Sequence, residues 1–120
     1  MVDQATQDIL LWLNKLVDTM PSDGRLTDEV LRNAGPLPIH VPEPRTEGRT
    51  AKDIVWSRNL NRVGAIAQFQ GFVRSRLTSD INATYVAAHK LKSSNPPESA
   101  RLELKTAYLG RIRDYVAGLG

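Results

Sequence analysis

Proline limits what this chain can fold into more than any other residue type, because the seven prolines occur in only three segments of the sequence. These places are Pro21, the stretch from Pro36 to Pro44, and the pair Pro96-Pro97. A proline inside a helix removes a backbone hydrogen bond and clashes with the preceding turn. Between these places apolar residues recur every three or four positions, the period of an amphipathic helix. The proline-free stretches are therefore predicted to be helical.

Five helices are predicted from this spacing and from polar residues that can cap a helix start. The first runs from about Asp3 to Met20, and the second from Thr27, its cap, to Gly35. The expected spans of the other three are Ala51 to Leu77 after a Thr50 cap, Asp80 to Lys92, and Pro96 to Ala117 after an Asn95 cap.

The stretch 36–49 between the second and third helices is expected to be an extended, proline-rich arm. Leu37, Ile39 and Val41 alternate there, so they can lie on one side of an arm or of a short edge strand. A connection of this length without a helix is uncommon unless it has a function. We therefore treat the three apolar residues as candidates for contact with a protein partner.

The fold class predicted for residues 1–120 is all-α, a single domain built as an irregular bundle of about five helices. A chain of 120 residues is long enough for one modest hydrophobic core. The periodic apolar positions that we expect in this core are Ile9, Trp12, Leu16, Trp56, Leu60, Val63, Ile66, Phe69, Val73, Ile112 and Val116.

Charge is divided unevenly along the chain. Up to Gly48 four basic residues stand against eight acidic ones, giving −4, whereas twelve against five from Arg49 onward give +7. Arginine outnumbers lysine eleven to five, and its planar guanidinium suits phosphate groups better than a lysine ammonium does. This asymmetry points to a polyanionic partner, or to the acidic part of another copy.

Two helical faces combine basic and aromatic residues, as surfaces that contact phosphates and stack on bases do. The face on the third helix holds Arg58, Asn61, Arg62, Ala65, Gln68, Phe72 and Arg76. The face on the last helix holds Arg101, Lys105, Tyr108, Arg111 and Tyr115. The alternative for each is an ordinary solvated face, with Phe72 packed under the proline arm.

Two further patterns concern helix packing. Leu102, Leu109, Ile112 and Val116 follow a heptad-like alternation, which favours packing on the first and third helices and leaves a coiled-coil contact with a second subunit as the alternative. Small residues share another side of the third helix, where either a helix of the same chain or a partner can approach closely. They are Ser57, Gly64, Gly71 and Ser75.

Catalysis has little support in the sequence. There is no cysteine, and His40 and His89 stand 49 residues apart without the spacing of a metal motif. We find no phosphate-binding glycine loop and no nucleophile elbow, so we expect no enzyme activity, small-molecule substrate, cofactor or metal. No apolar run is long enough for a membrane span, and the cytoplasm is the default compartment.

The sequence thus predicts a non-enzymatic nucleic-acid-binding protein, a small subunit of a nucleoprotein or virus-like assembly. The nucleic acid can be DNA or RNA, and further copies of the chain are possible partners. The alternative is a protein-interaction module, an inhibitor, adaptor or oligomerising scaffold that binds through the proline arm or the last helix.

Overall fold

A computed structural model of the protein describes residues 3–119. Its helices are α1 (Gln4–Asp18), α2 (Asp28–Asn33), α3 (Ala51–Leu91) and α4 (Pro96–Ala117). They contain 72% of the described residues, which include no strand. The predicted all-α class is confirmed.

Every one of these helices begins after a side chain that accepts a hydrogen bond from a backbone amide three residues on. The capping residues are Asp3, Thr27, Thr50 and Asn95, which bond the amides of Thr6, Val30, Asp53 and Glu98. At Asp3 the hydrogen bonds from Thr6 also hold the pKa of the carboxyl below its ordinary value. The predicted starts of these four helices are confirmed, and they were predictable because capping depends on residues within one turn.

The count of five helices is wrong, since the predicted third and fourth helices are one helix of 41 residues. No proline or glycine stands at the expected break, and Arg76 pairs with Asp80 one turn later, at 3.5 Å between Nε and Oδ2. Leu77 and Thr84 on either side of the junction are both buried. The helix therefore continues through residues 78–80.

Helices α3 and α4 form an antiparallel pair of unequal length. The Ser99 hydroxyl, near the start of α4, donates to the Ala88 carbonyl at 2.6 Å, and the Gln70 amide donates to the Val116 carbonyl at 3.0 Å near its end. At 1.5 Å per residue α3 is about 60 Å long and α4 about 33 Å. The molecule measures 67 × 30 × 23 Å, and the first turns of α3 extend past the end of α4.

The first helix packs across this pair and closes the core. The rings of Trp12 and Phe69 meet edge to face with 5.6 Å between centroids, and the Tyr108 hydroxyl donates to the Leu16 carbonyl at 2.5 Å. The buried cluster consists of Ile9, Trp12, Leu13, Leu16, Val30, Ala34, Phe69, Val73, Leu77, Tyr108, Leu109, Ile112 and Val116.

Seven of the eleven predicted core residues are buried, namely Ile9, Trp12, Leu16, Phe69, Val73, Ile112 and Val116. Ile66 is half-buried. The prediction is wrong for Trp56, Leu60 and Val63, which are 66%, 55% and 66% exposed.

The exposure of these three residues follows from helix geometry. A step of three residues turns the helix by about 300°, which is about 60° short of a full turn. Three such steps in succession separate Leu60 from Phe69. The apolar stripe is therefore rotated by about 180° between the two residues. Trp56 and Leu60 lie almost opposite the side of α3 that builds the core.

The connection between α2 and α3, residues 34–50, contains neither helix nor strand. Leu37 and Ile39 are half-buried against the core. Further along, the Asn61 amide donates to the Pro42 carbonyl at 3.0 Å, and Arg58 reaches Glu43 with 3.4 Å between Nη2 and Oε2. These contacts hold the connection against one side of the first turns of α3.

Candidate interaction surface

The predicted arginine face of the third helix is largely engaged within the chain. Arg58 faces Glu43 of the connection, and Arg76 is paired with Asp80. Arg62 lines a groove beside Val63. Arg58 and Arg76 are thus paired with different acidic residues, and Arg62 remains exposed.

Two basic residues of the predicted face of the last helix, Arg101 and Arg111, are also bonded within the chain. The Arg101 Nε donates to Glu98 Oε2 at 2.9 Å, and the hydrogen bonding between them lowers the pKa of Glu98 and raises that of Arg101. Arg111 Nη1 donates to the Gly24 carbonyl at 2.6 Å, which joins α4 to the turn after α1. Lys105 is half-buried.

The aromatic residues of the two faces belong to the core or pack on it. Tyr108 has no exposed surface, so the prediction that it belongs to a nucleic-acid-binding face is wrong. Phe72 and Tyr115 are half-buried against the core cluster. Tyr108 therefore offers no ring face to a ligand, whereas Phe72 lines a shallow pocket between α1, the connection and α3.

The predicted protein-contact residues of α4 are also internal. Leu109, Ile112 and Val116 are buried, and Leu102 is half-buried. The residues of the heptad-like alternation pack α4 against the rest of the chain, which is the interpretation that the sequence favoured. The alternative prediction, a coiled-coil contact of the three buried residues with a second subunit, is wrong because their surface is already covered.

Leu37, Ile39 and Val41 of the connection line an open groove of about 610 Å³. Its other walls come from α3, where Val63 and Ile66 contribute apolar surface, and from the end of the chain. Val41 is the most exposed of the three connection residues, at 36%. This groove is the part of the predicted contact surface that stays accessible.

Four of the eight large exposed apolar residues in the described chain fall between residues 55 and 63. Trp56, Leu60 and Val63 lie on one side of α3, and Ala67, also exposed, continues the line. We call Trp56, Leu60, Val63 and Ala67 the outer face of α3. The first three residues were predicted to lie in the core, although the apolar stripe rotates by about 180° along α3 and one core cannot cover both of its ends.

A shallow pocket of about 220 Å³ lies at the other end of the same side of α3. The Gln70 amide forms part of it and is held by the carbonyls of Val116 and Leu119 at 3.0 and 2.5 Å. A Cβ added at Gly71 would meet nothing within 4 Å, so the pocket is open at this point. Its lining residues are Ala67, Gln70, Gly71, Arg74, Arg113 and Ala117.

The two histidines lie on the surface. His40 Nε2 is 3.0 Å from Asp8 Oδ2, and His89 is exposed on α3. Within residues 3–119 no group of three or more histidine or acidic side chains is placed to hold a metal ion. None of the helices in that part of the chain is long and apolar enough to cross a membrane.

Comparison of the chain with protein-family models, with curated proteins and with solved structures finds no match in any of the three.

Proposed function

We propose that this chain is a non-enzymatic protein-interaction module and that the outer face of α3 is its docking surface. The observation that carries the proposal is the line of large apolar side chains, each more than half exposed, on the side of α3 that faces away from the core. Full burial of such a side chain is worth about 1.5–3 kcal/mol. A contiguous exposed apolar patch on a folded domain is typical of a binding surface.

The surroundings of the outer face support this proposal. The connection of residues 34–50 bonds Arg58 and Asn61, which lie about 100° or more around the helix from Leu60 and Ala67. The groove that it forms with α3 shares Val63 with the outer face. The accessible apolar surface therefore runs without interruption from the groove to the outer face.

A photoreactive amino acid at position 60 tests the proposal in the cell that makes the protein. We expect protein adducts from position 60 and none from position 85, because Tyr85 is a comparably exposed residue of α3 outside the outer face. Trp56→Ala should reduce the yield at position 60. Equal yields at the two positions, or no protein adduct at either, would contradict the proposal.

Binding of nucleic acid is a second candidate function, and one observation favours it. Arg74 and Arg113 line the same shallow pocket, in the part of the chain that carries the charge of +7. Exposed ion pairs such as those of Arg58, Arg76 and Arg101 are worth only about 0–1 kcal/mol, so phosphates can compete for these side chains. In this function the chain is a small subunit of a nucleoprotein or virus-like particle.

Titration with random-sequence DNA and RNA over a salt series tests this second function. Phosphate contacts release counterions, so affinity should fall steeply as the salt concentration rises. Arg74→Ala combined with Arg113→Ala should weaken binding and reduce the salt dependence. Absence of binding to both nucleic acids at about 50 mM salt, where release favours binding, would rule the function out.

A further inference from the structure

We infer that the partner on the outer face of α3 is a second copy of this chain, bound antiparallel so that Trp56 of each copy enters the shallow pocket at Gly71 of the other. The inference rests on the proposed function, because it names the occupant of the same surface. The two ends of that surface match each other in shape and in charge.

The two ends are complementary in shape. Trp56 projects at one end, and the open pocket at Gly71 lies 15 residues further along the same side of α3, a separation of about 22 Å. A two-fold axis between Val63 and Gly64 sets Trp56 opposite Gly71 of the partner subunit. It also sets Leu60 opposite Ala67 of the partner subunit, so each large side chain meets a small residue.

The other glycine on this side of α3 is Gly64, which lies at the two-fold axis. A Cβ there would meet nothing within 4 Å, so a second helix can approach closely at the centre of the pair. Isologous contacts of this kind, in which one patch pairs with itself, are the commonest in soluble oligomers.

The charges at the two ends also match. Asp53 lies one turn before Trp56 and Arg74 one turn after Gly71. In the described chain neither side chain is in an ion pair. The same two-fold axis places Asp53 against Arg74 of the partner subunit, and does so twice by symmetry.

A parallel pair would lose both forms of complementarity. It would set Trp56 against Trp56 of the partner subunit and leave Gly71 facing Gly71 of the partner subunit across a void. It would also bring the two Arg74 guanidinium groups together. In the antiparallel pair the indole instead lies beside Arg74 and Arg113 of the partner subunit, where an attractive cation–π contact is possible.

The length of the overlapping helices fits a reversible dimer. A specific interface buries about 800 Å² per partner, roughly a tenth of the 8297 Å² that the chain exposes. The overlap from Asp53 to Arg74 is about six turns, or roughly 32 Å. A single helix pair of this length lies at the lower end of specific interfaces, so we expect a dissociation constant in the micromolar range.

Sedimentation velocity of the full chain between about 5 and 500 µM, a range that brackets a micromolar dissociation constant, tests the inference. We expect the mass to rise toward twice 13.3 kDa. Trp56→Ala should weaken the dimer at least about tenfold, since large aromatic anchors dominate interfaces, whereas the matched control Tyr85→Ala should not. A monomer throughout, or a dimer that Trp56→Ala leaves unchanged, would overturn the inference.

Gly71→Leu tests the pocket independently of Trp56. Leucine fills the pocket and favours the helix more than glycine does, so the variant should keep its helical circular dichroism and become monomeric. A folded Gly71→Leu variant that dimerises as the natural chain does would contradict the assigned position of Trp56.

A charge exchange tests the antiparallel arrangement. Asp53→Arg and Arg74→Asp should each weaken the dimer, and the double variant should recover it to within a few-fold. Failure of the double variant to recover would overturn this pairing. If the purified chain is monomeric while position 60 still cross-links to a different protein, the inferred dimer is wrong and the proposed function stands. If the chain neither dimerises nor cross-links to any protein from position 60, the inference and the proposed function are both wrong.

Discussion

Replacing Tyr108 by phenylalanine removes one buried hydroxyl and leaves the ring that fills the core. That hydroxyl donates to the Leu16 carbonyl at 2.5 Å, and both residues are fully buried. Leu16 lies in the last turn of α1, where backbone carbonyls lack an amide partner within the helix. The Tyr108 hydroxyl supplies that partner and joins α1 to α4.

The expected cost follows from what the substitution leaves behind. A hydrogen bond contributes about 0.5–1.5 kcal/mol net, whereas a buried carbonyl without a partner costs about 1–3 kcal/mol. The cost of a buried carbonyl without a partner applies here, because water has no access to the Leu16 carbonyl. We therefore expect the free energy of unfolding to fall by about 2 kcal/mol, or the Tm by roughly 6–10 °C for a chain of this length.

Urea unfolding followed by circular dichroism measures this change. Tyr85→Phe is the matched control, since its hydroxyl lies on a side chain that is 63% exposed, and it should alter stability by less than about 0.5 kcal/mol. A Tyr108→Phe variant as stable as this control would refute the reasoning that the hydroxyl fastens α1 to the helix pair.

The same residue gives stability a dependence on alkaline pH. Burial raises the pKa of Tyr108 above the ordinary value of 10.0, so the unfolded chain loses this proton at a lower pH than the folded chain does. The stabilising contribution is complete below pH 10.0 and decreases as the pH rises toward the folded value. The stability difference between the natural chain and Tyr108→Phe should therefore narrow above that pH, and a constant difference would contradict this account.

Three further substitutions should change stability in urea unfolding in directions that the structure specifies. Gly110→Ala should add about 0.5–1 kcal/mol, because alanine favours the helix and a Cβ there meets nothing within 4 Å. Gly24→Ala should instead cost about 1–3 kcal/mol through backbone strain alone, since φ is +68° and the Leu104 side chain lies 2.7 Å from the added Cβ. Ser79→Pro should cost about 3 kcal/mol or more because α3 is continuous there, and a tolerated proline would indicate the break that the sequence suggested.

Local features of the structure were predictable because they depend on neighbours in the chain. The starts of α1, α2, α3 and α4 follow from four polar side chains that each bond an amide within one turn. The missing break at residues 78–80 shows the limit of this kind of signal. Threonine, serine and aspartate there lower helix propensity only slightly, and burial of Leu77 and Thr84 against the rest of the chain outweighs it.

The candidate surface was only partly predictable. Periodicity shows which residues share a side of a helix, but it does not show which side another helix covers. Trp56 and Phe69 belong to one periodic series, yet only Phe69 is buried. For the same reason Tyr108, assigned by its spacing to a basic outer face, lies in the core.

The amino-acid sequence by itself determined the helical class, the start of each helix and the uneven charge, because these properties depend on residue type and on contacts within a few positions. Only the tertiary structure decided which apolar side of α3 is covered. Helix α4 is 22 residues long and α3 is 41, and the apolar stripe of α3 changes sides between Leu60 and Phe69. The bundle can cover one side along part of that length, so the other side remains exposed at Trp56, Leu60 and Val63.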